Sequence, residues 1–260
     1  FLNLTLCPSC YRKINCYYNL PNHMFISSYG HSDVGFVREK NEDSFLVDDE
    51  KGIYAVADGV GGLPFGALAS RLAVQFYGSY IQSSTDHATD DELRRIAHSI
   101  HQNIITCGCI VGGENGIGCT FSGLRRVGEK LVFVHVGDSS IYLKDGNGLR
   151  KVSKCHTLGD ELIDKHGPEA AIDMPEHYMH TLTRCMGQDI DFEVDIGDID
   201  LLPGSSILVC SDGVTNMVDL EEIEKMISSM EPEAFVHAII DLANQNGGTD
   251  NSTAVCLKIS

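Results

Sequence analysis

The sequence predicts an α+β fold built on antiparallel sheets. Strand-like segments come in hairpin-joined runs, helical segments come in pairs, and single strands and helices do not alternate as βαβ units require. The run Met24-Phe25-Ile26-Ser27-Ser28 opens the globular pattern, and residues 43–48 and 52–57 read as a hairpin pair. Past Gly62 the period changes: Leu68, Leu72, Phe76 and Tyr80 recur every four residues, as a helix packed on a sheet requires. A second helix is expected over 91–107, with Leu93, Ile96, Ile100 and Ile104 on one face. Strands return at 119–125, 130–136 and 140–144, and Asp145-Gly146-Asn147-Gly148 is a hairpin turn into a strand over 149–152. Residues 154–180 are polar and rich in His and Pro, and read as an irregular, mobile loop over a site. Strands at 192–199 and 206–210, helices at 220–229 and 232–245, and a strand at 252–259 complete the pattern.

At 260 residues and 43% hydrophobic, the chain can bury a full core as one large domain. Residues 1–22 read as an appended, flexible leader ahead of a domain over 23–260. Thirty-seven acidic residues against 19 basic give a formal charge of −18, which disfavours nonspecific binding to nucleic acid or to an anionic membrane. No apolar stretch is long enough to span a bilayer. Of ten cysteines, Cys119, Cys210 and Cys256 lie in apolar strand-like runs, where a reduced thiol acts as a small hydrophobe. That usage points to a reducing, cytoplasmic compartment. In the leader, Cys7, Cys10, Cys16 and His23 match no standard zinc spacing, and free thiols are expected there.

Three aspartates carry the chemistry. Asp58 lies in Ala57-Asp58-Gly59-Val60-Gly61-Gly62, Asp212 in Cys210-Ser211-Asp212-Gly213-Val214, and Asp250 in Gly247-Gly248-Thr249-Asp250-Asn251. Each adjoins an apolar strand, where a carboxylate is costly unless something pairs with it. Any one alone reads as a turn dipeptide. Together they ask for a common divalent cation, and an all-oxygen set favours Mg²⁺ or Mn²⁺ over Zn²⁺. Asp138, in Val136-Gly137-Asp138-Ser139-Ser140, is a fourth candidate. Arg38, followed by Glu42 and Asp43, is suited to grip a phosphate or carboxylate through its guanidinium fork.

With these residues in hand, the chain resembles the metal-dependent protein serine/threonine phosphatases of the PPM (type 2C) family, above all their compact bacterial members. The matching stretches run in order: Gly35 to Ser44, Ala57 to Gly62, Gly118-Cys119-Thr120, His135 to Ser139, Leu182 to Gly187, Ser211-Asp212-Gly213 and Thr249-Asp250-Asn251. The resemblance implies a four-layer α-β-β-α sandwich of two antiparallel sheets flanked by helices. It implies two Mn²⁺ or Mg²⁺ ions, with a third, weaker one as in bacterial relatives. By position Asp58 would bridge the two ions, the Gly59 carbonyl would bind one, and Asp212 and Asp250 would hold the other. Glu42 and Asp43 would act in the water shell, Asp138 with Asp212 would match the third site, and Arg38 would bind the substrate phosphate. A hydroxide bridging the ions would then hydrolyse phosphoserine or phosphothreonine in proteins, opposing a serine/threonine kinase, and the chain would act as a monomer.

The chain departs from the family at Val60, where many eukaryotic members carry a histidine, at Ser140, and at Cys155, which stands where relatives have aspartate. His156 is expected to be a hydrogen-bonded structural residue. Two further readings stay open on sequence: a regulatory module that binds a phosphoprotein or kinase, and a hydrolase of non-protein phosphate esters.

Overall fold

The computed structural model describes residues 24–82, 89–113, 116–188 and 192–260. The leader with Cys7, Cys10, Cys16 and His23 lies outside the described residues. The remainder forms two five-stranded antiparallel sheets. One runs in the order β1 (Ile26–Asp33), β10 (Ser252–Ile259), β9 (Ser206–Cys210), β6 (Ser140–Asp145), β7 (Gly148–Lys151). The other runs β2 (Ser44–Asp48), β3 (Ile53–Ala57), β4 (Phe121–Val127), β5 (Lys130–Val136), β8 (Asp195–Asp200). In the first sheet β10 lies between β1 and β9, with Ile26 facing Ile259 and Ala254 facing Cys210.

Helices α1 (Gly66–Gln82) and α2 (Asp90–Val111) cover the outer face of the second sheet; α5 (Leu220–Ser229) and α6 (Pro232–Gln245) cover that of the first. This is the α-β-β-α sandwich, and it explains why inner strands such as β3 and β9 carry unbroken apolar runs. In β3, Ile53, Ala55 and Ala57 face the helices while Tyr54 and Val56 face the opposite sheet. In β9, Ile207 and Val209 face inward while Leu208 and Cys210 meet the helices. A strand buried on both faces loses the alternation that marks a half-exposed one. Cys119, Cys210 and Cys256 are buried, and burial pushes the thiols of Cys210 and Cys256 up to about 12, so they pack as neutral hydrophobes.

Element boundaries shift by a few residues: β1 runs on to Asp33, β8 starts at Asp195, and α2 extends to Val111. The larger difference lies at 154–180, which is not irregular. It contains α3 (Leu158–His166) and two short 3₁₀ turns, Pro168–Ala171 and Glu176–His180. Thr157 caps α3 by accepting from the Asp160 N–H at 3.1 Å and donating to the Asp160 carboxylate at 2.6 Å. A fourth short helix element, α4 (Asp212–Thr215), continues directly from Ser211.

Ile207 is fully buried between the sheets. Ile207→Ala should lower unfolding free energy by about 2–5 kcal/mol in chemical denaturation, because the facing strands cannot collapse into the void.

Candidate active site

The sandwich brings six acidic positions to one end. Asp58 follows β3, Asp138 follows β5, Asp212 follows β9, Asp250 precedes β10, and Glu42 and Asp43 precede β2. The register makes this necessary: Ser44 pairs with Ala57, and Ala254 and Ser140 both pair with Cys210, so these strand ends coincide. Arg38, Glu42, Asp58, Gly59, Asp138, Asp212 and Asp250 all line one open cleft of about 1200 Å³. Asp43 does not; it lies behind the cleft, next to Asp58 and Asp212.

A scaffold of small polar residues fixes the geometry. The Thr120 hydroxyl accepts from the Asp58 N–H at 3.1 Å, the Thr120 N–H donates to the Asp58 carbonyl at 2.8 Å, and Thr120 Oγ1 meets Ser139 Oγ at 2.6 Å. Thr120 thereby ties the Asp58 turn to the Asp138 turn. Asn251 ties the β1–β2 loop to β10: its Oδ1 accepts from the Glu42 N–H at 2.8 Å, and its amide donates to the carbonyls of Val34 and Lys40 at 2.9 and 3.0 Å. Ser211 Oγ donates to Asp43 Oδ2 at 2.8 Å, joining the two sheets. Gly59 and Gly66 meet backbone to backbone; a Cβ on Gly59 would sit 2.5 Å from the Gly66 carbonyl carbon, so the Asp58 turn can press against the start of α1 only without side chains there.

Electrostatically the cleft is frustrated. Burial, then the charges of Asp43, Asp212, Asp138 and Asp250, hold the Asp58 carboxyl well above the ordinary carboxylate range. Burial lifts Asp43 to about 6, partly offset by Thr253, Ser211 and Asp58, and lifts Asp138 to about 7 with help from Asp212. Asp212 is raised by burial and by Asp250. Asp43 Oδ1 is buried with no hydrogen-bond partner. The orphaned oxygen of Asp43, beside an Asp58 that four neighbouring carboxylates repel, fits a site made for cations. The donors are oxygens. Cys185 also lines the cleft, but burial pushes its thiol up to about 11 and leaves it neutral. Among the described residues no three acidic, His or Cys side chains close into a complete ligand cage. An open array of carboxylates suits ions such as Mg²⁺, which retain much of their water.

Arg38 bonds Asp250, Nη2 to Oδ2 at 2.7 Å. Both side chains are over a third exposed, 45% and 34%, which keeps such a pair within about 1 kcal/mol and free to rearrange. His156 is structural, as expected. Its Nδ1 accepts from the Gly137 N–H at 3.1 Å, so Nε2 carries the proton and faces Asp195 Oδ2 at 3.3 Å, while burial lowers its pKa. Cys155 is half-buried, with the Lys151 ammonium 2.7 Å from its sulfur and the Asp138 carbonyl at 3.5 Å. Residues not singled out as site members also line the cleft: Glu176 and His180 from the second 3₁₀ turn, and Asn216, whose amide donates to Asp212 Oδ2 at 3.1 Å. Asn216 lies four residues after Asp212, the spacing of one helical turn, which was the available signal.

Comparison with known proteins identifies one family. The family model described as Protein phosphatase 2C matches residues 36–250. "Serine/threonine phosphatase stp" of Listeria welshimeri is 32% identical over 239 residues, covering 87% of this chain and 93% of its own. "Protein phosphatase PhpP" of Streptococcus pneumoniae is 30% identical over 241 residues, covering 88% and 96%. The solved serine/threonine phosphatase PstP/Ppp of Mycobacterium tuberculosis superposes with a TM-score of 0.80 at 27% identity, covering 90% of this chain and 98% of that one. A PstP catalytic domain in complex with two manganese ions gives 0.79 at 25% identity, covering 91% and 99%.

In metal-free protein, Asp58→Asn should raise stability by about 1–3 kcal/mol at pH 7.5, read by denaturant titration. The folded-state pKa lies above the unfolded value, so the carboxylate's penalty grows with rising pH and fades as pH falls toward the ordinary range near 4. The gain from the substitution should therefore shrink between pH 7.5 and pH 4.5.

Proposed function

The chain belongs to the protein phosphatase 2C family, and from that premise we propose that it is a metal-dependent protein phosphatase acting on phosphoserine and phosphothreonine with Mn²⁺ or Mg²⁺. The observation that carries this reading is the convergence of carboxylates from both sheets on one cleft beside a single arginine. Asp58 would span two ions, with the Gly59 carbonyl on one and Asp212 and Asp250 on the other. Asp138, beside Asp212, is suited to a third ion. Glu42 at the cleft wall and the free oxygen of Asp43 behind it would accept from water at the site. When bound, the ions lower the pKa of water and screen the charge of the phosphate dianion.

The chain's own residues supply the rest. Arg38 is held in the cleft by a weak, exposed pair, so an incoming phosphoryl group can exchange with Asp250 for its guanidinium. Two N–H groups on two phosphoryl oxygens orient the ester and offset charge gathered in the transition state. Val60 has no ionisable proton, so no side chain at that position acts as acid. Cys185, which lines the cleft, and the buried Cys119 and Cys210 are held neutral by burial, which makes them poor nucleophiles and favours water as the attacking group.

The same reading covers the remaining features. Phosphoprotein substrates imply an opposing serine/threonine kinase, and the family resemblance supports a monomer. Seven described cysteines are all free, in keeping with a reducing, cytoplasmic setting. Among the described residues no helix is long and apolar enough to cross a membrane. The family match at 36–250 supports a catalytic domain within 23–260.

Hydrolysis of a phosphothreonine peptide, followed by phosphate release, should require added Mn²⁺, and Asp212→Asn should lower it by at least about 100-fold. Turnover indifferent to Mn²⁺, or intact in that variant, contradicts the assignment. Arg38→Ala should lower kcat/KM by about 10²–10³ while leaving thermal stability nearly unchanged, because its ion pair with Asp250 is exposed.

A further inference from the structure

The 3₁₀ turn Glu176–His180 forms a wall of the cleft, and the metal and phosphate assignments give it nothing to do. None of its side chains is buried, and backbone bonds tie it at one end. A Cβ on Gly159, in the first turn of α3, would collide with Met179 Sδ and lie 3.1 Å from Met174 Sδ. With no side chain on Gly159, the flexible ends of both methionines lie against the start of the helix. Backbone bonds hold the far end of the turn: Leu158 N–H to Thr181 C=O at 2.8 Å, and Thr183 N–H to His156 C=O at 2.9 Å. The Thr183 hydroxyl donates to Glu161 at 2.7 Å.

Glu176 is the remaining carboxylate. It is exposed, it lines the cleft, and it makes no ion pair or hydrogen bond among the described residues. The other acidic side chains of the cleft wall are assigned to cations or their water, and Arg38 is assigned to phosphate. His180, on the same turn, favours the ionised form of Asp212. With the cations in place, Glu176 is left as an unmatched negative charge on a turn tied at one end by backbone bonds. The chain's net charge of −18 adds a long-range preference of the same sign.

We propose that this turn is a specificity wall, and that Glu176 selects phosphorylated segments carrying a lysine or arginine close to the phosphoresidue. The inference rests on the phosphatase reading and names its substrate class. The backbone bonds at the end of the turn limit the freedom lost on pairing, so the contact retains a small gain. An exposed pair of this kind yields a preference of up to about fivefold.

The test compares two phosphothreonine peptides that differ only in one flanking residue, arginine or glutamate, with a small aryl phosphate as reference, all with Mn²⁺. The wild type should favour the arginine peptide by about three- to fivefold in kcat/KM, mainly through KM. Glu176→Lys should bring that ratio to one or below. Glu169→Lys, an equal charge change on the neighbouring 3₁₀ turn outside the cleft, should leave the ratio near the wild-type value. Equal use of both peptides by the wild type overturns the proposal. So does a ratio unmoved by Glu176→Lys, or one moved equally by Glu169→Lys, which would reduce the effect to net charge. Failure to hydrolyse even the aryl phosphate sinks the phosphatase reading itself, and this inference with it.

Discussion

Repulsion among carboxylates that the sheets force together is the constraint on which the rest of this molecule depends. Asp43, Asp58 and Asp138 belong to one sheet and Asp212 and Asp250 to the other, so the two layers can close at this end only against their mutual charge. The central strands supply the compensation. They are buried on both faces and hold the register that keeps the aspartates in place. The polar scaffold of Thr120, Ser139, Ser211 and Asn251 does the finer work, spending each hydrogen bond on a backbone or carboxylate that would otherwise wander. A divalent ion held by these carboxylates would relieve that repulsion and favour the closed arrangement of the layers.

Much of this was legible in the residues alone, for identifiable reasons. Strands such as β3, β9 and β10 stand out because burial on both faces leaves an unbroken apolar run. The aspartates stand out because each interrupts such a run at a turn. The segment at 154–180 was misread because α3 is short and mostly polar; its apolar content does not reveal a helix, although Thr157 followed by Asp160 is a capping signature. Its shape is set by Met174 and Met179 closing on Gly159, a long-range fit with no local pattern.

Adjacent residues also diverged in ways that spacing does not disclose. Glu42 and Asp43 read as an equivalent pair, yet the chain turns one toward the cleft and the other behind Asp58. Arg38 read as a phosphate clamp, and its contact with Asp250 depends on two loops separated by most of the chain. Contacts of this sort follow from topology, and local sequence carries information only about the elements that topology joins.

The place of β10 has a consequence for biosynthesis. It is the inner strand between β1 and β9, and Asp250 and Asn251 stand at its entrance. Until Ser252–Ile259 has been synthesised, β1 has no neighbour to pair with and the cleft lacks a wall. A ribosome-bound chain can pair β2 to β5 in sequence, but must hold β1 without its sheet partner through most of translation, exposed to mispairing and within reach of chaperones. Partial chains cannot assemble the cleft, so folding itself keeps an unfinished molecule from acting on phosphorylated proteins.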